Sequence, residues 1–226
     1  MERKEVLQRL NDLADPEGRA GMARFGIATD RALGIRIPKL RRLAKEVGRD
    51  HDLALELWET RIHEARILAS MVDDPAHVTE GQMEAWVGDF DSWDVCDQVC
   101  GNLFDKTPYA YRKAVSWSGR NKEFVKRAGF ALMAWIAAHD KKAEDAAFLP
   151  FLPLIVRASV DDRNFVKKAV NWALRQIGKR NRNLNRRAIV AAERVRGLDA
   201  RAARWIAGDA LRELRSAAVQ ARLARR

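Results

Sequence analysis

Phe124-Val125-Lys126-Arg127-Ala128 returns 41 residues later as Phe165-Val166-Lys167-Lys168-Ala169. A recurrence at about 40 residues, with apolar positions at helical spacing in both copies, marks an array of paired helices. One such pair cannot bury its apolar face alone. Neighbours therefore stack into a curved solenoid, and the concave side becomes an extended binding surface.

Outward from these two copies the chain reads as helical throughout. Only 6 Pro and 13 Gly interrupt 226 residues, and no run alternates apolar and polar residues for long enough to form a sheet. Periodicity places helices at about 3–14, 18–28, 38–48, 51–58, 62–73, 79–89, 92–104, 108–117, 121–138, 142–157, 162–178, 183–195 and 199–222. Asp15-Pro16, Ile37-Pro38, Asp74-Pro75, Thr107-Pro108, Leu149-Pro150 and Leu152-Pro153 put every proline at a helix start or in a loop, where the missing N–H costs little. No linker or low-complexity stretch divides the chain. The expectation is an all-α, HEAT-like superhelix over residues 1–226, one domain of about six helical pairs with a concave basic groove.

The charge is +11, and it is unevenly placed. From Gly178 to Arg226 there are 14 Lys or Arg against 4 Asp or Glu, so almost all of the excess lies in the last part of the chain. Lys179-Arg180-Asn181-Arg182-Asn183-Leu184-Asn185-Arg186-Arg187 mixes cations with amides that hydrogen-bond phosphate oxygens, and the chain closes on Arg222, Arg225 and Arg226. Nucleic acid is the polyanion this pattern fits. An anionic membrane fits less well, because the segment from Ala200 to Ala224 has few bulky apolar anchors.

Other classes are disfavoured. No stretch approaches the roughly 18 uncharged apolar residues of a membrane span, and Met1-Glu2-Arg3-Lys4-Glu5 lacks the apolar core of a signal peptide, so a soluble cytoplasmic protein is expected. Cys96 and Cys100, four apart on one helix, read as buried reduced thiols. His51, His63, His77 and His139 show no zinc spacing, and nothing implies a metal or other cofactor.

Three helices carry the candidate chemistry. In Ser92-Trp93-Asp94-Val95-Cys96-Asp97 the apolar stripe is Val95, Cys96, Val99, Cys100 and Leu103, while Trp93 and Asp97, four apart, share a flank beside it. In the next helix Phe124, Val125, Ala128, Leu132 and Trp135 face the core and Arg127 stands about 60 degrees beyond the edge. In the third, Phe165, Val166, Ala169 and Ala173 face inward, Lys168 takes the register of Arg127, and Asn171, Trp172 and Arg175 lie toward the same side. Trp58, Trp86, Trp117, Trp135 and Trp205 read as core or inter-helix filling. Stacking aromatics, cations for phosphates and one carboxylate are the parts needed to hold a nucleotide and to stabilise positive charge.

These three segments, with Met22-Ala23-Arg24-Phe25 and Leu33-Gly34-Ile35-Arg36-Ile37-Pro38, resemble the AlkD family of bacterial DNA glycosylases. The resemblance runs from about residue 20 to 180, with Trp93, Asp97, Arg127 and Trp172 each on a position the family uses. It implies excision of N3- or N7-alkylated purines, 3-methyladenine and 7-methylguanine, from duplex DNA; the expectation beside it is a monomer acting in base excision repair, associated with the nucleoid. By the family's pattern Asp97, Trp93 and Arg127 are catalytic, with Arg127 on a phosphate near the lesion. Trp172, Lys168, Arg175, Phe25, Arg180 and Arg182 are the expected DNA contacts. Reactions on a base ordinarily require flipping it into a pocket; the resemblance implies that here the base stays in the helix. Phe25 stands where the family often has tyrosine, and Ser92 where some members carry a second aromatic. A relative that binds distorted or branched DNA without cleaving it is the alternative, and a scaffold for a protein partner a more distant one.

Overall fold

The computed structural model describes residues 1–225; Arg226 lies outside them. Among the described residues there are fourteen α-helices and no strand. They form two compact units, one ending at Thr107 and one starting at Pro108.

The first unit holds α1 (Arg3–Asp12), α2 (Pro16–Met22), α3 (Ile37–Val47), α4 (His51–Glu59), α5 (His63–Val72), α6 (Glu80–Gly88) and α7 (Trp93–Asn102). Asp15, Asp50 and Thr79 start α2, α4 and α6 by accepting from the backbone N–H of Gly18, Leu53 and Gln82. α5 is buried almost all round, its ionisable His63, Glu64 and Arg66 included, and α3, α4 and α7 pack against it. Trp58 and Trp86 stack at 4.0 Å between ring centroids, with Phe90 and Phe104 tilted against them.

The second unit holds α8 (Ala110–Ser118), α9 (Glu123–His139), α10 (Phe151–Ala158), α11 (Asn164–Gly178), α12 (Arg182–Arg196), α13 (Arg201–Leu214) and α14 (Ala217–Ala224). α9 and α11 are the two repeat copies, packed side by side with Val125, Ala128, Val166 and Ala169 buried at matching positions. α8 crosses α9 so closely at Gly129 that a Cβ there would stand 2.4 Å from the Ser118 nitrogen. Only glycine fits that crossing.

The expected boundaries fail in three places. The segment 18–28 is helical only to Met22, followed by a single 3-10 turn that Gly26 closes at φ 70°. The expected helix from about 142 begins at Phe151, because Asp140 turns the chain by accepting from the N–H of Lys142 and Ala143 and because Pro150 sets the start. The last helix breaks at Ser216, whose hydroxyl caps a new helix at Val219 N–H. Burial also departs from the periodicity in places. Trp58, Trp86 and Trp117 are core, but Trp135 is half-buried and Trp205 is 43% exposed. Phe124 and Phe165 lie at the rim of the core, half-buried, with ring centroids 5.5 Å apart. Cys96 and Cys100 are buried thiols, and burial followed by the neighbouring Cys96 pushes the Cys100 thiol well up. No helix among the described residues is long and apolar enough to cross a membrane.

Candidate nucleic-acid interface

In the first unit the candidate residues sit on α7 and on the loop before α3. Ser92 precedes α7 without capping its backbone; its hydroxyl instead donates to Asp94 Oδ1 at 2.7 Å, while His63 Nε2 meets Asp94 Oδ2 at 2.8 Å. Asp94 thereby ties the first turn of α7 to the first residue of α5. Burial opposes charge on both partners, but the hydrogen bond between them wins: the His63 imidazolium is held above its ordinary value and the Asp94 carboxyl below its own. The pair is a short histidine–carboxylate hydrogen bond that becomes an ion pair when the imidazole is protonated. On this fixed turn Trp93 projects with its indole N–H donating to the carbonyl of Phe25 at 3.0 Å, and Asp97 follows one turn later on the same flank, half-buried.

The Phe25 carbonyl is itself well placed. The loop from Gly26 to Arg36 contains no regular helix, yet Glu64, buried on α5, accepts from the backbone N–H of Leu33 and Gly34 at 2.7 Å and of Ile35 at 3.2 Å. The backbone N–H of His63 donates to Arg31 O, Arg19 Nε to Thr29 O, and Asp15 N–H to Leu33 O. Gly34 takes φ 81°, where a Cβ would come within 2.1 Å of Asp15 O. The ring of Phe25 is 67% exposed. Its contact with Trp93 runs through the main chain, so phenylalanine in place of tyrosine leaves that bond intact.

In the second unit Arg127 is not on an outer flank. It is only 5% exposed, and its Nη1 donates to Phe165 O at 2.6 Å, tying α9 to the first turn of α11. The reason is the close approach of the two repeat helices, which places a carbonyl lone pair at the guanidinium. Lys168, at the equivalent position of α11, is exposed. Trp172 is half-buried with its ring edge-on to Trp135, centroids 5.3 Å apart, and Trp135 packs on His139 at 4.7 Å. Asn171, expected beside Trp172, is buried instead and donates to Asp209 at 2.7 Å.

The arginines expected at DNA have partners within this unit. Arg175 is paired with Glu213, which also accepts from Lys179 Nζ at 2.6 Å; burial resists the charge, but these two cations hold the Glu213 carboxyl below its usual range. Arg180 lies over the Phe148 ring at 4.0 Å and donates to Ala137 O and Ala143 O. Arg182 donates to Leu223 O at 3.3 Å, fastening α14. Arg222 donates to Lys179 O. Exposed cations remain at Arg186, Arg187, Arg194 and Arg201.

Residues 6–214 match the family model described as DNA alkylation repair enzyme. The chain belongs to that family. No curated protein matches it. A solved structure described as one of a new family of proteins related to the HEAT-like repeat DNA glycosylases, with affinity for branched DNA structures, is similar over 99% of this chain and 96% of its own, at 19% identity and a TM-score of 0.79. This member of the DNA alkylation repair family therefore has the all-α, HEAT-like repeat fold. The residues that position Trp93, namely His63, Glu64 and Asp94, escaped sequence reasoning; the signal available was the ionisable start of α5, His63-Glu64, ahead of its apolar stretch.

Proposed function

We propose that the protein is a monofunctional DNA glycosylase that releases 3-methyladenine and 7-methylguanine from duplex DNA during base excision repair, without flipping the base. The observation that carries this reading is the pairing of Trp93 with Asp97 on one flank of α7, on a turn held by the His63–Asp94 bridge and the Phe25 carbonyl. Family membership supports the substrate class.

The chemistry asks little of the protein. Alkylation at N3 or N7 leaves the purine cationic, so the base departs neutral with the electron pair of the C1′–N bond and needs no general acid. Positive charge builds on the sugar, and the Asp97 carboxylate stabilises it and orients the water whose oxygen adds to C1′, taking up the proton that water loses. Trp93 and Trp172 present ring faces to the deoxyribose and backbone. Arg127, fixed by Phe165 O, serves as a rigid charge for a phosphate beside the lesion, and Lys168 and Phe25 as exposed contacts to the strand. Arg175, Arg180 and Arg182 are further contacts to DNA in this reading. The concave basic groove expected of a repeat array, running through one continuous domain of a monomer, is part of the proposal.

A second reading is favoured by one observation, the fold shared with a protein described as having affinity for branched DNA. Under it the chain binds branched or distorted DNA without breaking a bond. Incubation with methylated duplex, followed by chromatography of released bases, decides between them. Release of 7-methylguanine and 3-methyladenine that is lost in Asp97→Asn supports the glycosylase. Tight binding with no release in the wild-type protein would replace it with the second reading.

A further inference from the structure

The repeat that opens α9 and α11 has a third copy that its composition hides. Trp205 on α13 lies 40 residues after Phe165, as Phe165 lies 41 after Phe124. The residue following each, Val125, Val166 and Ile206, is buried. The two phenylalanines are half-buried, but Trp205 is the most exposed of the seven tryptophans, at 43%. Three positions on, the cation of the earlier copies, Arg127 and Lys168, is replaced by Gly208. A Cβ at Gly208 would meet nothing within 4 Å, so the floor beside the indole is open.

One cation lies over this ring, and two exposed cations stand one turn before it on its own helix and one residue beyond Lys167 in sequence. Lys167 Nζ lies 5.5 Å from the centroid, and Arg201, one turn earlier on α13, and Lys168 are exposed. The acids close by already have partners: Asp162 accepts from Ala202 N–H, and Asp199 pairs with Arg204 at 3.0 Å. An exposed indole flanked by ammonium and guanidinium groups suits a base with its neighbouring phosphates. Inside a duplex both faces of each base are covered by stacking, whereas the bases of an unpaired strand offer their faces freely, so a single strand is the occupant that suits this ring.

We propose that Trp205, with Lys167, Lys168 and Arg201, is a stacking platform for a single DNA strand leaving the duplex. The proposal rests on the DNA-binding reading and extends it to α13.

The test uses the full chain with a blunt duplex and with the same duplex carrying a single-stranded thymine tail that contains 2-aminopurine. The expected result is about tenfold tighter binding of the tailed DNA, with quenching of the 2-aminopurine fluorescence. Trp205→Ala removes both the tail's advantage and the quenching, and Trp205→Phe restores most of each. A tailed-to-blunt ratio in Trp205→Ala equal to that of the wild type would overturn the proposal. So would a concentration-dependent dimer dissolved by Trp205→Ala, which would assign the ring to a second copy of the chain. Blunt-duplex binding with no tail advantage in the wild type sinks the platform alone; binding to neither DNA sinks the DNA-binding reading with it.

Discussion

In the unit that ends at Thr107 three acids each gather two or more donors, whereas beyond Pro108 several arginines reach main-chain carbonyls. Glu64 gathers three amides, Asp94 bridges His63 and Ser92, and Asp73 accepts from His51 and from Gln82 at 2.7 Å each. In the second unit Arg127, Arg180, Arg182 and Arg222 each donate to main-chain carbonyls of other segments. Carboxylates collect donors and guanidinium groups collect carbonyls, because an ionised carboxylate only accepts and a guanidinium only donates. The contrast teaches that the basic excess of the second unit overstates the charge facing a polyanion. A good part of it also serves as internal scaffolding.

Removing Glu64 attacks the comparison most strongly. Glu64→Ala leaves three buried amides without an acceptor and is expected to cost about 3–4 kcal/mol, measured by urea unfolding, with early proteolytic cutting between Phe25 and Ile37. Cutting confined to the second unit would break the assignment of Glu64 to the loop. Asp97→Asn is next, with base release expected to fall about a hundredfold while duplex affinity, measured by fluorescence anisotropy, stays within about twofold of the wild type. Unchanged release would remove the carboxylate from the mechanism.

Arg127→Ala carries the comparison into the second unit. It is expected to weaken binding to lesion-containing duplex by about 1.5–3 kcal/mol; an unchanged Kd and turnover would leave Arg127 as scaffolding like Arg180. The smallest effect concerns pH. His63 has a raised value in the folded protein, so its contribution is complete below the unfolded imidazole value and is lost as pH rises through the raised one. Asp94 is depressed, so its contribution is present above the unfolded carboxyl value and is lost as pH falls through the depressed one. The stability difference between wild type and His63→Gln should therefore peak between about pH 4 and about pH 6.5, at about 1 kcal/mol, and shrink on either side in thermal melts. A difference that grows toward alkaline pH would contradict the ion pair.

Much of the fold was legible because helical periodicity is a local signal. Phe124 to Ala128 and Phe165 to Ala169 announced the repeat, and both form helices packed side by side. The third copy was not legible: Trp205 keeps the aromatic position but loses the cation at Gly208, and without Lys-Lys or Lys-Arg the echo disappears. Side-chain direction was harder still. Arg127 read as outward because periodicity registers only one helix, whereas its burial comes from the carbonyl of the neighbouring one. Trp93 and Asp97 were found from spacing on α7, but the groups that aim Trp93 lie on α5 and in an irregular loop, at sequence separations of 31 and 68 residues for the two bonds, and no local pattern registers such a bond.

The three amides that converge on Glu64 give the loop before α3 a property usually reserved for helices. Backbone N–H groups in an irregular segment exchange their hydrogens with water quickly, and those of Leu33, Gly34 and Ile35 should instead exchange on the timescale of α5 itself. Their acceptor stands on α5, so opening of the segment that follows Phe25 is coupled to the first turn of that helix. The same three hydrogens thus report, from inside the molecule, how firmly the support of the Trp93 indole is held.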